Sequence, residues 1–169
     1  NITNINLDSK ILTSSENQYS YDYLIMGTGS QPSNCGVEGV KEHTLSLWSI
    51  EDAVEIKEKV EKSFQEARMT DNPIERKKLL SFVVCGGGFT GIEMVGELID
   101  WVNDFCKKYN IARSEVELFN IEGLDDILPS LDDKSIKKAK NYLHKNDVRI
   151  KTGDFITKIE ENKLNLQNG

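Results

Sequence analysis

The sequence is poor in cysteine, proline and long apolar runs. Its three cysteines, Cys35, Cys85 and Cys106, are odd in number and widely spaced, and they include no CxxC pair. This pattern predicts neither a disulfide framework nor a zinc site, and it is typical of a reducing cytoplasm. No apolar run approaches the roughly 20 residues that a membrane-spanning helix requires, and no secretory signal pattern opens the chain. We therefore expect a cytoplasmic protein without a metal centre.

The chain also lacks an excess of positive charge. Lys and Arg number 21 against 28 Asp and Glu, which gives a formal net charge of −7. A nucleic-acid partner requires a basic face opposite the phosphates, so this balance argues against nucleic-acid binding. The length of 169 residues suits one sizeable domain, or one domain with pieces of another.

Strand patterns come first along the chain. Residues 1–13 alternate apolar and polar side chains around an Asp8-Ser9 turn signal, which predicts a hairpin. Residues 21–27 (YDYLIMG) predict a third short strand. Residues 31–39 contain one proline and two glycines and predict a linker.

An alternation of helices and strands follows. Ser49 is the predicted N-cap of a helix, with Asp52 three residues later as in a capping box. Residues 79–85 (LLSFVVC) are a continuous apolar run, which predicts a strand buried on both faces of a parallel sheet. The later elements are predicted as helices over 89–109 and 132–145 and as strands over 115–121, 148–151, 155–159 and 164–166. The order predicts an α/β fold, Rossmann-like, with a central parallel sheet flanked by helices and an added antiparallel β-meander.

The junction at residues 82–98 (FVVCGGGFTGIEMVGEL) is rich in glycine, which weakens both strands and helices. Gly86, Gly88 and Gly91 satisfy G-x-G-x-x-G between a predicted strand and an amphipathic helix, the setting of a dinucleotide-binding loop. There Gly86 would permit the tight turn, Gly88 the approach of the backbone to a pyrophosphate, and Gly91 close packing of helix on strand. The N–H groups and partial positive charge of the helix start would receive the phosphates. The alternative is a plain turn without a ligand.

An acidic residue follows the next predicted strand, where such a domain needs an acceptor for the adenosine ribose. Glu122 holds that position, at more than the usual ~20 residues from Gly91 because the intervening helix is long. A carboxylate accepts from a 2′-hydroxyl but repels a 2′-phosphate, so Glu122 favours NADH over NADPH. Asp125 and Asp126 nearby would deepen that repulsion. The alternative is an ordinary surface glutamate in a turn.

Four segments occur in the order and spacing of a known family: YDYLIMGTGSQP, LSLWSIEDAVEIKEKV, ERKKLLSFVVCGGGFTGIEMVGEL and NIEGLDDILPSLDDK. They resemble the flavin-dependent pyridine nucleotide-disulfide oxidoreductase superfamily, and within it the type II NADH dehydrogenases, which are NADH:quinone oxidoreductases. The resemblance covers most of residues 19–153. It implies an FAD/NAD(P)-binding fold, NADH as the electron donor, FAD as the cofactor of the full-length parent, and a quinone or another electron acceptor as partner.

The resemblance also implies roles for individual residues. Glu93 matches a catalytic glutamate beside the nicotinamide and the flavin, and Thr28 and Gly29 match a turn that contacts the flavin. The residues expected to bind NADH are Gly86, Gly87, Gly88, Phe89, Thr90, Gly91 and Glu122. The sequence departs from the family at Phe89, where proline is common, and this change could alter access to the nicotinamide pocket.

Several parts of the family have no counterpart in these 169 residues: the upstream flavin-binding glycine motif, the second flavin segment and the membrane-associated C-terminal region. The resemblance therefore implies a fragment that is inactive alone, with residues 1–35 as the C-terminal strip of a flavin-binding domain and residues 36–169 as the NADH-binding domain. The parent would pass hydride from NADH to FAD and electrons to a quinone. It would be cytoplasmic or peripheral on the inner face of the cell membrane. Whether the parent forms a homodimer stays open.

Two other functions stay open at this point. One is the NADH-binding part of a soluble flavin reductase that acts on a disulfide, oxygen or a ferredoxin. Cys35 has no partner at CxxxxC spacing, and Cys85 and Cys106 are predicted to be inert core residues, which disfavours a disulfide substrate. The other is a module that senses NADH and performs no chemistry.

Overall fold

The structure is a computed structural model that describes residues 1–168. The chain divides into two units, Asn1–Gln31 and the part from Pro32 onward. This division falls after Gln31, a few residues before the domain boundary that the sequence predicts between residues 35 and 36. Assignment of the first unit to a flavin-binding domain stays a prediction.

The first unit is a three-stranded antiparallel sheet of order β1-β2-β3, with β1 at Ile2–Asn6, β2 at Ile11–Ser14 and β3 at Gln18–Ser20. The side chain of Asn6 accepts hydrogen bonds from the backbone N–H groups of Asp8 and Ser9, at 3.1 and 2.9 Å. Asn side chains commonly stabilise turns in this way, by accepting from backbone N–H groups a few residues later. The predicted hairpin is confirmed.

Residues 21–27 do not form the predicted strand. The third strand is β3, and the chain after it has no regular structure. Tyr23 and Ile25 are 94% and 93% exposed. Apolar side chains alone do not make a strand, because its N–H and C=O groups also need a neighbouring strand.

The second unit contains a parallel sheet of order β4-β5-β6, with β4 at Ser81–Cys85, β5 at Glu117–Ile121 and β6 at Val148–Lys151. Phe82 pairs with Leu118, which pairs with Val148. Helix α4 (Phe89–Tyr109) connects β4 to β5, and helix α5 (Asp133–Lys145) connects β5 to β6. The predicted α/β fold with a parallel sheet is confirmed.

The remaining elements are helices α1 (Val40–His43), α2 (Ile50–Met69) and α3 (Pro73–Leu79), a 3₁₀ turn at Arg113–Glu115, and an antiparallel hairpin of β7 (Ile156–Glu160) and β8 (Lys163–Leu166). Helix α2 begins as predicted, because Ser49 accepts from the N–H of Asp52 at 3.1 Å and Asp52 accepts from the N–H of Ser49 at 2.8 Å. None of the helices within residues 1–168 combines the length and the apolar character needed to cross a bilayer.

The core of the second unit lies on one face of the parallel sheet. Phe82 and Val84 pack there against a cluster from α2, α4 and α5 that includes Phe64, whose ring stacks on that of Phe82 with centroids 6.0 Å apart. On the other face of β4, Val83 is 43% exposed and Cys85 is exposed. Burial of this strand on both faces, and with it a core position for Cys85, was a wrong prediction, because β4 is an edge strand with helices on one face. Cys106 is buried as predicted.

Candidate dinucleotide-binding site

A glycine-rich turn joins the end of β4 to the start of α4. Gly86 has φ 105°, a backbone conformation that glycine adopts freely and other residues rarely do. Its N–H donates to the carbonyl of Ile121 at 2.7 Å, which extends the pairing of β4 with β5 by one residue. The first residue of the turn is therefore still hydrogen-bonded to the sheet.

Gly91 lies in the first turn of α4, directly against Gly86. A Cβ atom at Gly91 would lie 2.1 Å from the carbonyl oxygen of Gly86. Any side chain at this position would push the helix away from the strand end, so the close approach of α4 to β4 requires glycine here.

Gly88 is the N-cap residue of α4 and faces open space. Its φ of −72° and ψ of −177° are accessible to any residue, and a Cβ atom there would meet no other atom within 4 Å. Neither the backbone conformation nor the packing of residues 1–168 requires glycine at this position. Gly86, by contrast, has a positive φ, and a side chain at Gly91 would clash. Close approach of a ligand to the backbone would explain the glycine at position 88.

The start of α4 has no side-chain cap and no acidic residue in its first turn. Helices α2, α3 and α5, by contrast, are capped by the side chains of Ser49, Asn72 and Asp132. The first N–H groups of a helix have no acceptor within the helix and carry partial positive charge. The glycine-rich turn thus presents backbone donors suited to an anion.

The carboxylate of Glu122 is hydrogen-bonded into the turn. Its Oε2 accepts from the N–H of Gly87 at 2.6 Å, and its Oε1 accepts from the N–H of Leu124 at 2.8 Å. Each carboxylate oxygen has a further lone pair that a ribose hydroxyl could use. Glu122 is half-buried. It therefore differs from the alternative interpretation of this residue, an ordinary surface glutamate in a turn, whose side chain would be freely solvated.

The loop after β5 also contacts Gly87 through Ile127 and Leu128. The carbonyl of Gly87 accepts from the N–H of Leu128 at 2.7 Å, and a Cβ atom at Gly87 would lie 2.9 Å from Cγ2 of Ile127. Ile127 is fully buried. The sequence did not predict this contact, because it joins residues far apart in the chain.

Asp126 faces a cation. Its Oδ1 lies 2.7 Å from Nζ of Lys140 on α5, and Lys140 together with the N–H of Ile127 lowers the pKa of the Asp126 carboxyl. Because Lys140 compensates the charge of Asp126, any discrimination against a 2′-phosphate would rest on Glu122, with Asp125 exposed beside it.

The other predicted site residues lie at the start of α4. Phe89 is 53% exposed, and Thr90 and Glu93 are also exposed. Residues four apart on a helix are neighbours, so Glu93 follows Phe89 on the same side. The structure thus brings Gly86–Gly91, Glu122 and Glu93 to one end of the sheet and helix.

Thr28 and Gly29 belong to the first unit, Asn1–Gln31. Both are exposed in a segment without regular structure, and Gly29 has φ 69° with no atom within 4 Å of an added Cβ. This backbone conformation favours glycine, and its open surroundings fit the approach of a ligand. Their role toward a flavin stays a prediction.

A separate groove of about 390 Å³ is lined by residues of α1, of β7 and of the segments next to them, among them Glu38, Glu42, His43 and Lys158. Its lining includes no residue of the glycine-rich turn. Within residues 1–168, no group of three or more His, Cys, Asp or Glu side chains is arranged to hold a metal ion.

A strand, a glycine-rich turn, an uncapped helix and an acidic residue after the next strand together define the Rossmann-like class of α/β domain. The sequence matches the family of pyridine nucleotide-disulphide oxidoreductases over residues 1–169, and the chain belongs to that family.

Individual relatives agree with the predicted resemblance to type II NADH dehydrogenases. The chain is 35% identical over 149 residues to the external alternative NAD(P)H-ubiquinone oxidoreductase B3, mitochondrial, of Arabidopsis thaliana, a match to 87% of this chain and 26% of that protein. It is 28% identical over 177 residues to the type II NADH:quinone oxidoreductase of Staphylococcus haemolyticus, covering 99% of this chain and 44% of that protein. The chain therefore spans less than half the length of these relatives.

A solved structure shares the fold. NDH2 from Plasmodium falciparum in complex with NADH superposes with a TM-score of 0.80 at 24% identity, over 93% of this chain and 33% of that chain. The likeness establishes a common architecture for the described residues.

Proposed function

We propose that the second unit binds NADH at the glycine-rich turn, as part of a flavin-dependent NADH dehydrogenase. The full-length parent would pass hydride from NADH to FAD and then electrons to a quinone. The observation that carries this proposal is Gly88, where the fold leaves open space and imposes no need for glycine. Family membership and the names of the curated relatives support it.

The pyrophosphate of NADH would lie against Gly88 and the first turn of α4. The chain carries a net charge of −7, so attraction for phosphate has to come from local donors rather than from the overall field. The free N–H groups and the partial positive charge of the helix start supply that attraction. Glu122 would accept from the 2′-hydroxyl of the adenosine ribose while it holds Gly87.

Glu93 would act at the nicotinamide end of the bound NADH. Its carboxylate is exposed, one helical turn beyond Phe89, and it can accept a hydrogen bond from the nicotinamide carboxamide. This contact would orient the ring for hydride transfer. FAD supplies the hydride-accepting chemistry when it is bound in the parent. Thr28 and Gly29 would contact it through the backbone turn at Gly29.

We also propose a peripheral position on the inner face of the cell membrane for the parent. A quinone acceptor dissolves in the bilayer, and contact through the C-terminal region of a longer chain would bring the flavin close to it. A homodimer is a further proposal, and sedimentation of the longer protein tests it.

Calorimetric titration of the 169-residue chain with NADH tests the binding proposal directly. We expect saturable binding with one NADH per chain, and weaker binding of NADPH. Absence of heat or of saturation in a folded sample would remove the proposed function.

The parent's reaction requires the longer protein. We expect it to purify with bound flavin and to oxidise NADH when a quinone is supplied. Parallel assays with a disulfide, oxygen and a ferredoxin distinguish the soluble reductases from the quinone enzyme. A longer protein that binds NADH but holds no flavin would instead support an NADH-sensing module.

A further inference from the structure

A fully buried polar side chain stands in the central strand of the parallel sheet. Asn120 on β5 is 0% exposed and lies in register with Val84 on β4 and Ile150 on β6. Leu118, two positions earlier and therefore on the same face of the strand, packs in the apolar core. The strand pattern predicts an apolar residue at position 120, so the amide requires a separate reason.

The amide group of Asn120 is bonded to the backbone at the end of β4. Its Nδ2 donates to the carbonyl of Gly86 at 2.8 Å and to the carbonyl of Val84 at 3.3 Å. Both acceptors are carbonyls, so the NH₂ group and not the oxygen must face them. Its Oδ1 is buried and has no hydrogen-bond partner within residues 1–168. A buried acceptor without a partner destabilises a fold, so the strand gains little from this amide by itself.

The bond to Gly86 acts on the atom that sets the geometry of the turn. The carbonyl oxygen of Gly86 is the atom that a side chain at Gly91 would strike, so it already marks the contact between the strand end and α4. This oxygen is held between the amide of Asn120 and the backbone of Gly91, which fixes the direction of the Gly86 carbonyl dipole. A carbonyl that rotated away from Asn120 and Gly91, toward the N–H groups of Gly88 and Phe89, would place partial negative charge where an anion would bind.

We propose that Asn120 is a positioning residue for the pyrophosphate site. It holds the Gly86 carbonyl, so that the N–H groups of Gly88 and of the first turn of α4 are presented to the phosphates without a competing acceptor. The inference rests on the proposed NADH site and assigns Asn120 no contact with the ligand.

The test compares Asn120→Val with wild type and with Leu118→Val in the 169-residue chain. Asn120→Val removes both donors and suits a strand. Leu118→Val trims the core on the same face of β5 without touching the turn, and so serves as a control for lost stability. Asn120→Ala is the second variant, for use if valine prevents folding. NADH affinity, thermal unfolding without cofactor and the ¹⁵N–¹H resonances of Gly86–Gly88 are measured for each.

We expect Asn120→Val or Asn120→Ala to weaken NADH binding about tenfold, which is the scale of one lost hydrogen bond. The resonances of Gly86–Gly88 should shift, whereas Leu118→Val should leave both readouts as in wild type. Equal NADH affinity in wild type and the folded Asn120 variants would overturn the positioning role while the NADH site itself stands. An affinity loss in Leu118→Val equal to that of Asn120→Val would also overturn it. If the wild-type chain does not bind NADH, that result contradicts the proposed function rather than the positioning role of Asn120.

Discussion

The carboxylate of Glu122 accepts a hydrogen bond from the N–H of Gly87 at 2.6 Å, although the two residues are 35 positions apart in the sequence. The parallel pairing of β4 with β5 produces this contact, because both strands end at the same edge of the sheet. One side chain therefore holds the glycine-rich turn and, in the proposed complex with NADH, would also accept from the ribose. Substitutions at Glu122 should affect both tasks.

Glu122→Gln should reduce the preference for NADH over NADPH. The amide has one acceptor oxygen for the two N–H groups of Gly87 and Leu124, and it no longer repels a 2′-phosphate. We expect NADH binding to weaken by about 1.5–3 kcal/mol, the range for a hydrogen bond to a charged group, and NADPH binding to weaken less. Calorimetric titration of both nucleotides measures the gap. Glu97→Gln, at an exposed position on α4, changes the net charge equally and is the control. An unchanged ratio of the two affinities would contradict the assignment of Glu122.

Gly88→Val should abolish most NADH binding in a chain that stays folded. The new side chain meets no protein atom but occupies the space assigned to the phosphates. We expect affinity to fall on the order of 100-fold, which is ~2.8 kcal/mol. The free energy of unfolding should change by only about 1 kcal/mol through the poorer N-cap residue. Thermal unfolding without cofactor, measured beside the NADH titration, separates the two effects. If the Gly88→Val variant is less stable but still binds NADH, Gly88 serves only to form a turn.

Gly91→Ala should destabilise the fold itself. Its Cβ would lie 2.1 Å from the carbonyl oxygen of Gly86, so α4 or the turn must move. We expect a loss of about 1–3 kcal/mol, or more, in the free energy of unfolding, as for other overpacked sites. Urea denaturation provides the measurement.

Gly96→Ala is the matched control and a prediction of its own. Gly96 lies in the same helix, and a Cβ atom there would meet no atom within 4 Å. Alanine should therefore raise the free energy of unfolding by about 0.5–1 kcal/mol. If Gly91→Ala and Gly96→Ala lower the free energy of unfolding by similar amounts, the contact of position 91 with Gly86 is not the cause of the loss.

Glu115 should contribute stability that disappears in acid. Arg76 donates to Glu115 Oε2 at 2.6 Å, and this hydrogen bond is the main cause of the lowered pKa of the Glu115 carboxyl, whose ordinary value is 4.5. Because the unfolded chain binds this proton at higher pH than the folded chain does, the contribution is complete above about pH 4.5. It is lost as the pH falls through the lowered pKa.

Urea denaturation across this pH range tests the ion pair. Glu115→Gln should be less stable than wild type at neutral pH, and the difference should shrink as the solution is acidified below pH 4.5. Glu58→Gln, at an exposed position on α2, removes the same charge without removing this pair. A difference between wild type and Glu115→Gln that does not depend on pH would contradict this account.

The sequence by itself determined the features that depend on near neighbours in the chain. Ser49 and Asp52 predict the start of α2 because a capping box involves residues three apart. The glycine pattern at Gly86, Gly88 and Gly91 predicts a strand-to-helix turn, and α4 covers residues 89–109 as its apolar periodicity indicates. The order of strands and helices likewise predicts the parallel sheet, because parallel strands need crossover connections.

Only the tertiary structure decided which faces are covered and which distant groups meet. Val83 and Cys85 belong to an apolar run, yet they are exposed because the helices pack on one face of β4. Apolar content likewise predicted a strand over residues 21–27, where the structure provides no pairing strand among residues 1–168. Asn120 reaches Gly86 only because β4 and β5 pair in a particular register. Burial and strand pairing depend on partners far away in the chain, and a local pattern carries no information about where those partners lie.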